Sequence, residues 1–87
     1  MSAKKRTSEK NKDTLKEIGI RLKIIITALN TTQKNIADEA RIPYQTLQNW
    51  LSGKVWVGSD FLYWLVKEKN INANFILTGK GEIFLHD

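Results

Sequence analysis

Residues 33–50 read QKNIADEARIPYQTLQNW and include Pro43, the single proline of the chain. On both sides of it, small and apolar residues recur at three- and four-residue spacing, which is typical of helices. Because proline lacks a backbone N–H and disfavours helical geometry in the residue before it, this stretch does not predict one continuous helix. It predicts two short helices with a sharp turn between them, the second begun by the proline and rich in Gln, Thr and Asn.

The flanking sequence predicts three further helices, so the expected fold class is all-α with five helices. Thr14 and Glu17 have the spacing of a capping box and predict the start of the first helix, which ends near Asn30. The remaining predicted boundaries are Thr32 as the cap of the second helix, Gly53 as the end of the third, Ser59 or Asp60 as the start of the fourth, and Asn72 and Gly79 at the ends of the fifth. The predicted core residues are Leu15, Ile18, Leu22, Ile25, Ile26, Leu29, Ile36, Ala37, Ala40, Ile42, Leu47, Trp50, Leu51, Phe61, Leu62, Leu65, Val66, Phe75 and Ile76.

Composition indicates one small globular domain in a reducing compartment. The chain has 87 residues, of which 41% are hydrophobic and 26% charged. The longest run of hydrophobic residues is Phe61–Val66, and the longest purely aliphatic run is Ile24–Ile26; both are far short of the ~20 residues that span a bilayer. No cysteine is present, which excludes disulfides and Cys-ligated zinc and fits the cytoplasm, and the N-terminus lacks the apolar core of a signal peptide. We therefore expect a cytoplasmic protein without a membrane partner.

Positive charge is concentrated at the N-terminus. The net charge is +5, and residues 1–12 hold five basic residues against Glu9, which gives this segment +4. A lysine-rich segment with few apolar residues predicts a flexible arm. The arm either follows nucleic acid phosphates or is a solvated tail, and charge alone does not distinguish the two. In the first case its contacts are Lys4, Lys5 and Arg6.

The chain thus divides into the basic arm (1–12), a helical domain (13–81) and a C-terminal tail (82–87). The tail contains Ile83, Phe84 and Leu85 after two glycines, which predicts a short strand as an alternative to helix. An exposed apolar strand is an aggregation hazard unless it is paired, so we expect these three residues to form a homodimer interface. The alternative is that Ile83 and Phe84 fold back on the first helix of their own chain.

Two short helices joined by a tight turn form a helix-turn-helix, whose second helix fits the major groove of DNA. Ala37 permits close helix approach, and Ile42, Leu47 and Trp50 are its expected core anchors. The outer face of the second helix then presents Tyr44, Gln45, Gln48 and Asn49. Because Gln and Asn suit bidentate contact with adenine, these four residues are the candidates for base contact.

The ordered set of residues resembles the lambda-repressor-like family, in particular phage repressor and Cro-like DNA-binding domains. The resemblance covers roughly residues 15–81. It is carried by Thr32-Gln33, Ile36-Ala37, Ile42, Thr46-Leu47, Trp50-Leu51-Ser52-Gly53 and Phe75-Ile76-Leu77-Thr78-Gly79. It implies a five-helix domain with the helix-turn-helix at helices two and three.

The resemblance also implies a role for Gln33, the first residue of helix two. In the family this residue contacts a phosphate and braces a side chain of the recognition helix; otherwise Gln33 is an ordinary surface residue. The other expected contacts with the DNA backbone are Lys34, Thr46, Lys54 and Trp56, although an aromatic residue such as Trp56 is also often packing.

Two positions depart from the family pattern. Arg41 stands in the turn where members usually have Gly at positive φ, so either its backbone is strained by about 1 kcal/mol or the turn bends differently. Tyr44 is bulky for the leading edge of a recognition helix. It either contacts DNA or packs at the rim of the core.

The sequence gives little support to catalysis. His86 is the sole histidine, without a partner at metal-ligand spacing, and the Ser and carboxylate residues form no recognisable catalytic group. We expect no enzyme activity, cofactor, metal or small-molecule ligand. The expected function is a transcriptional regulator of the phage repressor type, which binds a near-palindromic operator in double-stranded DNA as a homodimer. The alternative is a protein-interaction module such as an antitoxin.

Overall fold

The computed structural model describes the backbone of residues 2–85 and the side chains of residues 12–85. Five helices account for most of it. In chain order they are α1 (Ser2–Ala28), α2 (Gln33–Ala40), α3 (Tyr44–Leu51), α4 (Ser59–Lys69) and α5 (Ala73–Thr78). Within the described residues there is no sheet, so this part of the molecule is all-α as expected. Nor does any helix in it have the length and apolar character needed to cross a membrane.

The first helix is longer than the sequence predicted. It begins at Ser2 rather than at the capping box of Thr14, so residues 2–12, expected to form a flexible arm, continue α1. The segment is rich in Lys and contains no Gly or Pro, so local propensity does not stop the helix there. At its other end the chain leaves α1 through Asn30, whose φ is 58°.

The predicted boundaries of the other helices are confirmed. Thr32 caps α2, because its Oγ1 accepts a hydrogen bond from the N–H of Asn35 at 3.1 Å. In the same way the side chain of Asn72 caps α5 by accepting from the N–H of Asn74 at 3.1 Å. Gly53 and Gly79 follow α3 and α5 with φ of 77° and 79°, in the left-handed region where glycine is free of strain.

The core lies where α1 packs across α3 and α5. Its buried residues are Ile18, Leu22, Ile25, Ile26, Ile36, Ala37, Leu47, Leu51, Phe61, Leu65, Ile71 and Ile76. All of these except Ile71 were predicted from helical spacing. Ile71 was missed because it lies between α4 and α5, where no helical period applies. The rings of Trp50 and Phe61, 5.4 Å apart, extend the core beneath α3.

Two glycines allow α1 and α3 to approach closely. A Cβ added to Gly19 would lie 2.4 Å from the main-chain oxygen of Leu51, closer than a carbon and an oxygen can come without displacement. A Cβ at Gly53 would meet Lys16 of α1 at 2.8 Å. This contact fixes α3 on the core through its C-terminal end and leaves its opposite face to solvent.

Arg21 ties α5 to α1. Its Nη1 donates a hydrogen bond to the main-chain oxygen of Ile76 at 3.0 Å, and its Nη2 lies 3.3 Å from Glu17. The guanidinium also lies against Gly79, where a Cβ would come within 3.0 Å of it. A cation at the C-terminal end of a helix satisfies carbonyl groups that have no helical partner.

The C-terminal tail does not form the strand that was the alternative prediction. Its only strand-like contact within the described residues is an isolated antiparallel bridge between Ile71 and Phe84. The N–H of Asn72 donates to Ile83 at 2.7 Å, and the N–H of Leu85 donates to Asn70 at 2.8 Å. The tail therefore folds back on its own chain, and its backbone pairs with residues 70–72.

Candidate nucleic-acid interface

The turn between α2 and α3 is closed by backbone hydrogen bonds. Arg41 adopts the left-handed conformation, with φ 61° and ψ 44°, and its N–H donates to Asp38 at 3.2 Å. The next N–H, that of Ile42, donates to Ala37 at 2.9 Å. Pro43 then precedes α3 in extended geometry, with φ −60° and ψ 141°, where no N–H is needed. Of the two alternatives predicted for this turn, the structure has the one in which the backbone of Arg41 is strained, and the turn does not bend differently.

A hydrogen bond joins the start of α2 to the exposed face of α3. Gln48 Nε2 donates to Gln33 Oε1 at 2.6 Å, across 15 positions of sequence. This is the brace that the family resemblance implied for Gln33. It leaves Gln48 with an acceptor oxygen and one N–H, and Gln33 with both N–H groups of its amide. The two side chains are half-buried, so their positions are more restricted than those of free surface residues.

A second amide pair lies on the same face of α3. Gln45 Nε2 donates to Asn49 Oδ1 at 3.1 Å, one helical turn along. The main-chain oxygen of Asn49 also accepts from Ser52 Oγ at 3.2 Å and from the N–H of Lys54 at 3.0 Å. These bonds fix the end of α3 and the first residue of the loop that follows. The contribution of Ser52 was not expected from the sequence.

Tyr44 begins the exposed face of α3. It is 50% exposed, so it is available for contact rather than enclosed at the rim of the core. With Gln45, Gln48 and Asn49 it forms a group that we call the α3 outer face. All four candidates for base contact therefore lie on one helix of eight residues, with Leu47 and Leu51 buried on its opposite side.

The candidates for backbone contact lie in α2, in α3 and in the loop that follows α3. Lys34 is exposed in the first turn of α2, and Thr46 is half-buried in α3. Lys54 is exposed in the loop after α3, together with Trp56, which is 53% exposed and does not serve as core packing. Val55 between them is 48% exposed and was missed, because a lone valine in a loop gives no sequence signal. The side chains of Lys4, Lys5 and Arg6 lie outside the described residues.

The N-terminal ends of α2 and α3 have no acidic side chain to offset their partial positive charge. Neither α2 nor α3 has an acidic residue in its first turn. The partial positive charge and free N–H groups at a helix N-terminus favour phosphate and other anions. The acidic residues of α2, Asp38 and Glu39, come later, and Glu39 is paired with Lys69 of α4.

The predicted dimer residues do not form one exposed surface. Ile83 is half-buried and packs against the core of its own chain, and its part in a dimer interface stays a prediction. Its main-chain oxygen accepts a hydrogen bond from the N–H of Asn72. Phe84 and Leu85 remain 36% and 40% exposed.

An apolar groove lies away from the α3 outer face, between α1 and α5. Its floor contains Ile20 and Ile24, which are 56% and 43% exposed, and Phe75 of α5 forms part of its wall. Neither isoleucine was assigned to the core from the sequence, but the pair was not recognised as a surface feature. The signal was present, because they lie four residues apart and off the buried stripe.

Comparison with known proteins gives no further assignment. No protein-family model, curated protein or solved structure matches this chain. The basis for a functional assignment is therefore the geometry of the molecule.

Proposed function

We propose that this chain is a sequence-specific DNA-binding regulator with a lambda-repressor-like helix-turn-helix formed by α2 and α3. The observation that carries the proposal is the hydrogen bond from Gln48 to Gln33. It connects the helix end suited to a phosphate with a side chain suited to a base edge. One rigid unit can then fix its position on the backbone and contact bases at the same time.

The chemistry of the α3 outer face supports this proposal. It consists of three amide side chains and one phenol, without a carboxylate that would repel the phosphates. An amide offers a donor and an acceptor together, which complements adenine N7 and N6 in the major groove. A helix of this width enters the major groove of B-DNA, and the core anchors on its other side hold it rigid.

The mode of regulation would be occupancy of an operator by a dimer. One helix-turn-helix contacts only a few base pairs, and dimers of this class place their recognition helices ~34 Å apart on the DNA. Phe84 and Leu85 are the residues of the predicted interface that are exposed. A dimer bound to a near-palindromic site would block access of polymerase and so repress transcription.

Selection from a random duplex pool tests the proposed function. The full chain should enrich one sequence family, and gel shifts should then show at least a ~1,000-fold preference for it over unselected DNA, the low end for specific binders. A chain that enriches no sequence would contradict the proposal.

The basic segment should add affinity without specificity. Replacing Lys4, Lys5 and Arg6 together with Gln removes three positive charges while keeping side chains that favour helix. Binding to selected and unselected duplexes should weaken by the same factor. The slope of log affinity against log salt should become shallower by about 0.9 for each phosphate that these residues neutralise. An unchanged slope would show that they do not contact DNA.

A second candidate function is a protein-interaction module such as an antitoxin. The observation that favours it is the groove of Ile20 and Ile24, because exposed apolar patches commonly mark protein contacts. The same selection experiment separates the two candidates, since a pure interaction module has no reason to enrich a DNA sequence. Substitution Ile20→Ser should leave DNA selection unchanged if α3 is the contact element.

A further inference from the structure

We propose that Gln45 and Asn49 recognise DNA as one coupled amide unit rather than as two independent contacts. The unit selects a base with a hydrogen-bond donor beside Gln45 and a base with an acceptor beside Asn49. This inference rests on the proposed function and specifies the bases that α3 selects.

The hydrogen bond between the two side chains determines which groups remain for DNA. Gln45 Nε2 donates to Asn49 Oδ1 at 3.1 Å. A Gln donor four residues before an Asn acceptor is a favourable pair on a helix surface. The bond uses the oxygen of Asn49 and one N–H of Gln45. What remains is the oxygen of Gln45, its second N–H, and both N–H groups of Asn49.

Asn49 is the fixed member of the pair. It is half-buried, and its main-chain oxygen accepts hydrogen bonds from Ser52 and Lys54 at the end of α3. The side chain of Gln45 is exposed, and within the described part of the chain it hydrogen-bonds to Asn49 alone. Asn49 therefore positions Gln45, and the loss of Asn49 releases a long side chain whose rotamers then have to be ordered when DNA binds.

The hydrogen-bonding groups that remain on Gln45 and Asn49 determine which bases the unit selects. Adenine N6 and cytosine N4 are the donors of the major groove and fit the oxygen of Gln45. The acceptors N7, guanine O6 and thymine O4 fit the two N–H groups of Asn49. The unit therefore demands a donor edge and an acceptor edge at neighbouring positions of one operator half-site.

A double-mutant cycle on base preference tests the coupling. Gln45→Ala, Asn49→Ala and the double variant are each used in selection from random duplex, followed by competition gel shifts. Each single substitution should lower preference at both base positions by about 10-fold. The preference of the double variant should lie within about twofold of that of the weaker single variant. Glu68→Ala, at an exposed position of α4, is the matched control and should select the same sequence as the unsubstituted chain.

Asn49→Asp tests the assignment of donors and acceptors. The substitution keeps the oxygen that accepts from Gln45 and removes both N–H groups. Preference at the Asn49 position should change to cytosine, whose N4 donates to a carboxylate, while preference at the Gln45 position stays the same. Circular dichroism of each variant should match that of the unsubstituted chain.

The outcomes separate the failure of this inference from that of the proposed function. If each single substitution lowers preference at one base position only, and the two losses multiply in the double variant, the side chains act independently. That result overturns the coupled unit and leaves DNA binding intact. A change of preference at both positions in Asn49→Asp overturns the assignment of donors and acceptors. If the unsubstituted chain enriches no sequence, the proposed function and this inference both fail.

Discussion

The two faces of α3 require different kinds of residue. The inner face holds Leu47, which is fully buried, and lies so close to α1 that Gly19 has no room for a Cβ. The outer face carries amides that bond to each other and to Gln33 but bury little apolar area. The inner face therefore sets stability, and under the proposed function the outer face sets DNA recognition. Substitutions on neighbouring residues should then affect different measurements.

The largest effect on stability is expected from Leu47→Ala. The side chain is 0% exposed, and its removal loses both transfer energy and packing. The free energy of unfolding should fall by about 3 kcal/mol, measured by urea denaturation. Leu77→Ala, the same truncation at a residue that is 50% exposed, is the control and should cost less than about 1 kcal/mol. Equal losses at the two positions would mean that the inner face is not the core.

The next effect is expected from Gly19→Ala. Ala favours helix over Gly by about 1 kcal/mol, but the added Cβ would lie 2.4 Å from the oxygen of Leu51. Overpacking should dominate, with a net destabilisation of about 2 kcal/mol. Thr27→Ala, at an exposed position of the same helix, should change stability by less than about 0.5 kcal/mol. A stabilised Gly19→Ala variant would show that α1 and α3 are farther apart than described.

Gln48→Ala should affect recognition with little change in stability. It removes the amide that is braced by Gln33, and preference for the selected duplex should fall by about 1–3 kcal/mol in competition gel shifts. The free energy of unfolding should change by no more than about 0.5 kcal/mol, unlike that of Leu47→Ala one residue earlier. Unaltered preference in this variant would remove Gln48 from the DNA contact.

Much of this comparison was predictable from the sequence, because Leu47 and Leu51 follow helical spacing and Pro43 separates two short periodic segments. The brace at Gln33 was expected only from the family resemblance. The bond between Gln45 and Asn49 could have been inferred from their i,i+4 spacing. By contrast, the position of Ile83 depends on pairing with residues 70–72, which are distant along the chain, and local pattern carries no information about it.

The smallest effect is expected in the turn that sets the angle of α3. Arg41 occupies the left-handed region at φ 61°, which costs a non-glycine residue about 1 kcal/mol or more. Arg41→Gly removes that strain but gives the unfolded chain more freedom, so the net gain should be about 0.5 kcal/mol in urea denaturation. Asn30→Gly, at φ 58°, should gain less, since Asn tolerates this geometry. A destabilised Arg41→Gly variant would show that the Arg side chain stabilises the turn.

The most direct test of the proposed DNA-binding surface is to locate the contact by NMR. Side-chain amide and backbone signals of the full chain are recorded while a selected duplex is added. We expect the largest shifts at the side-chain amides of Gln45, Gln48 and Asn49 and at the backbone N–H groups that begin α2, with the signals of Ile20 and Ile24 nearly unchanged. Shifts concentrated at Ile20 and Ile24, with the α3 outer face unaffected, would contradict the assignment of α3 as the recognition helix.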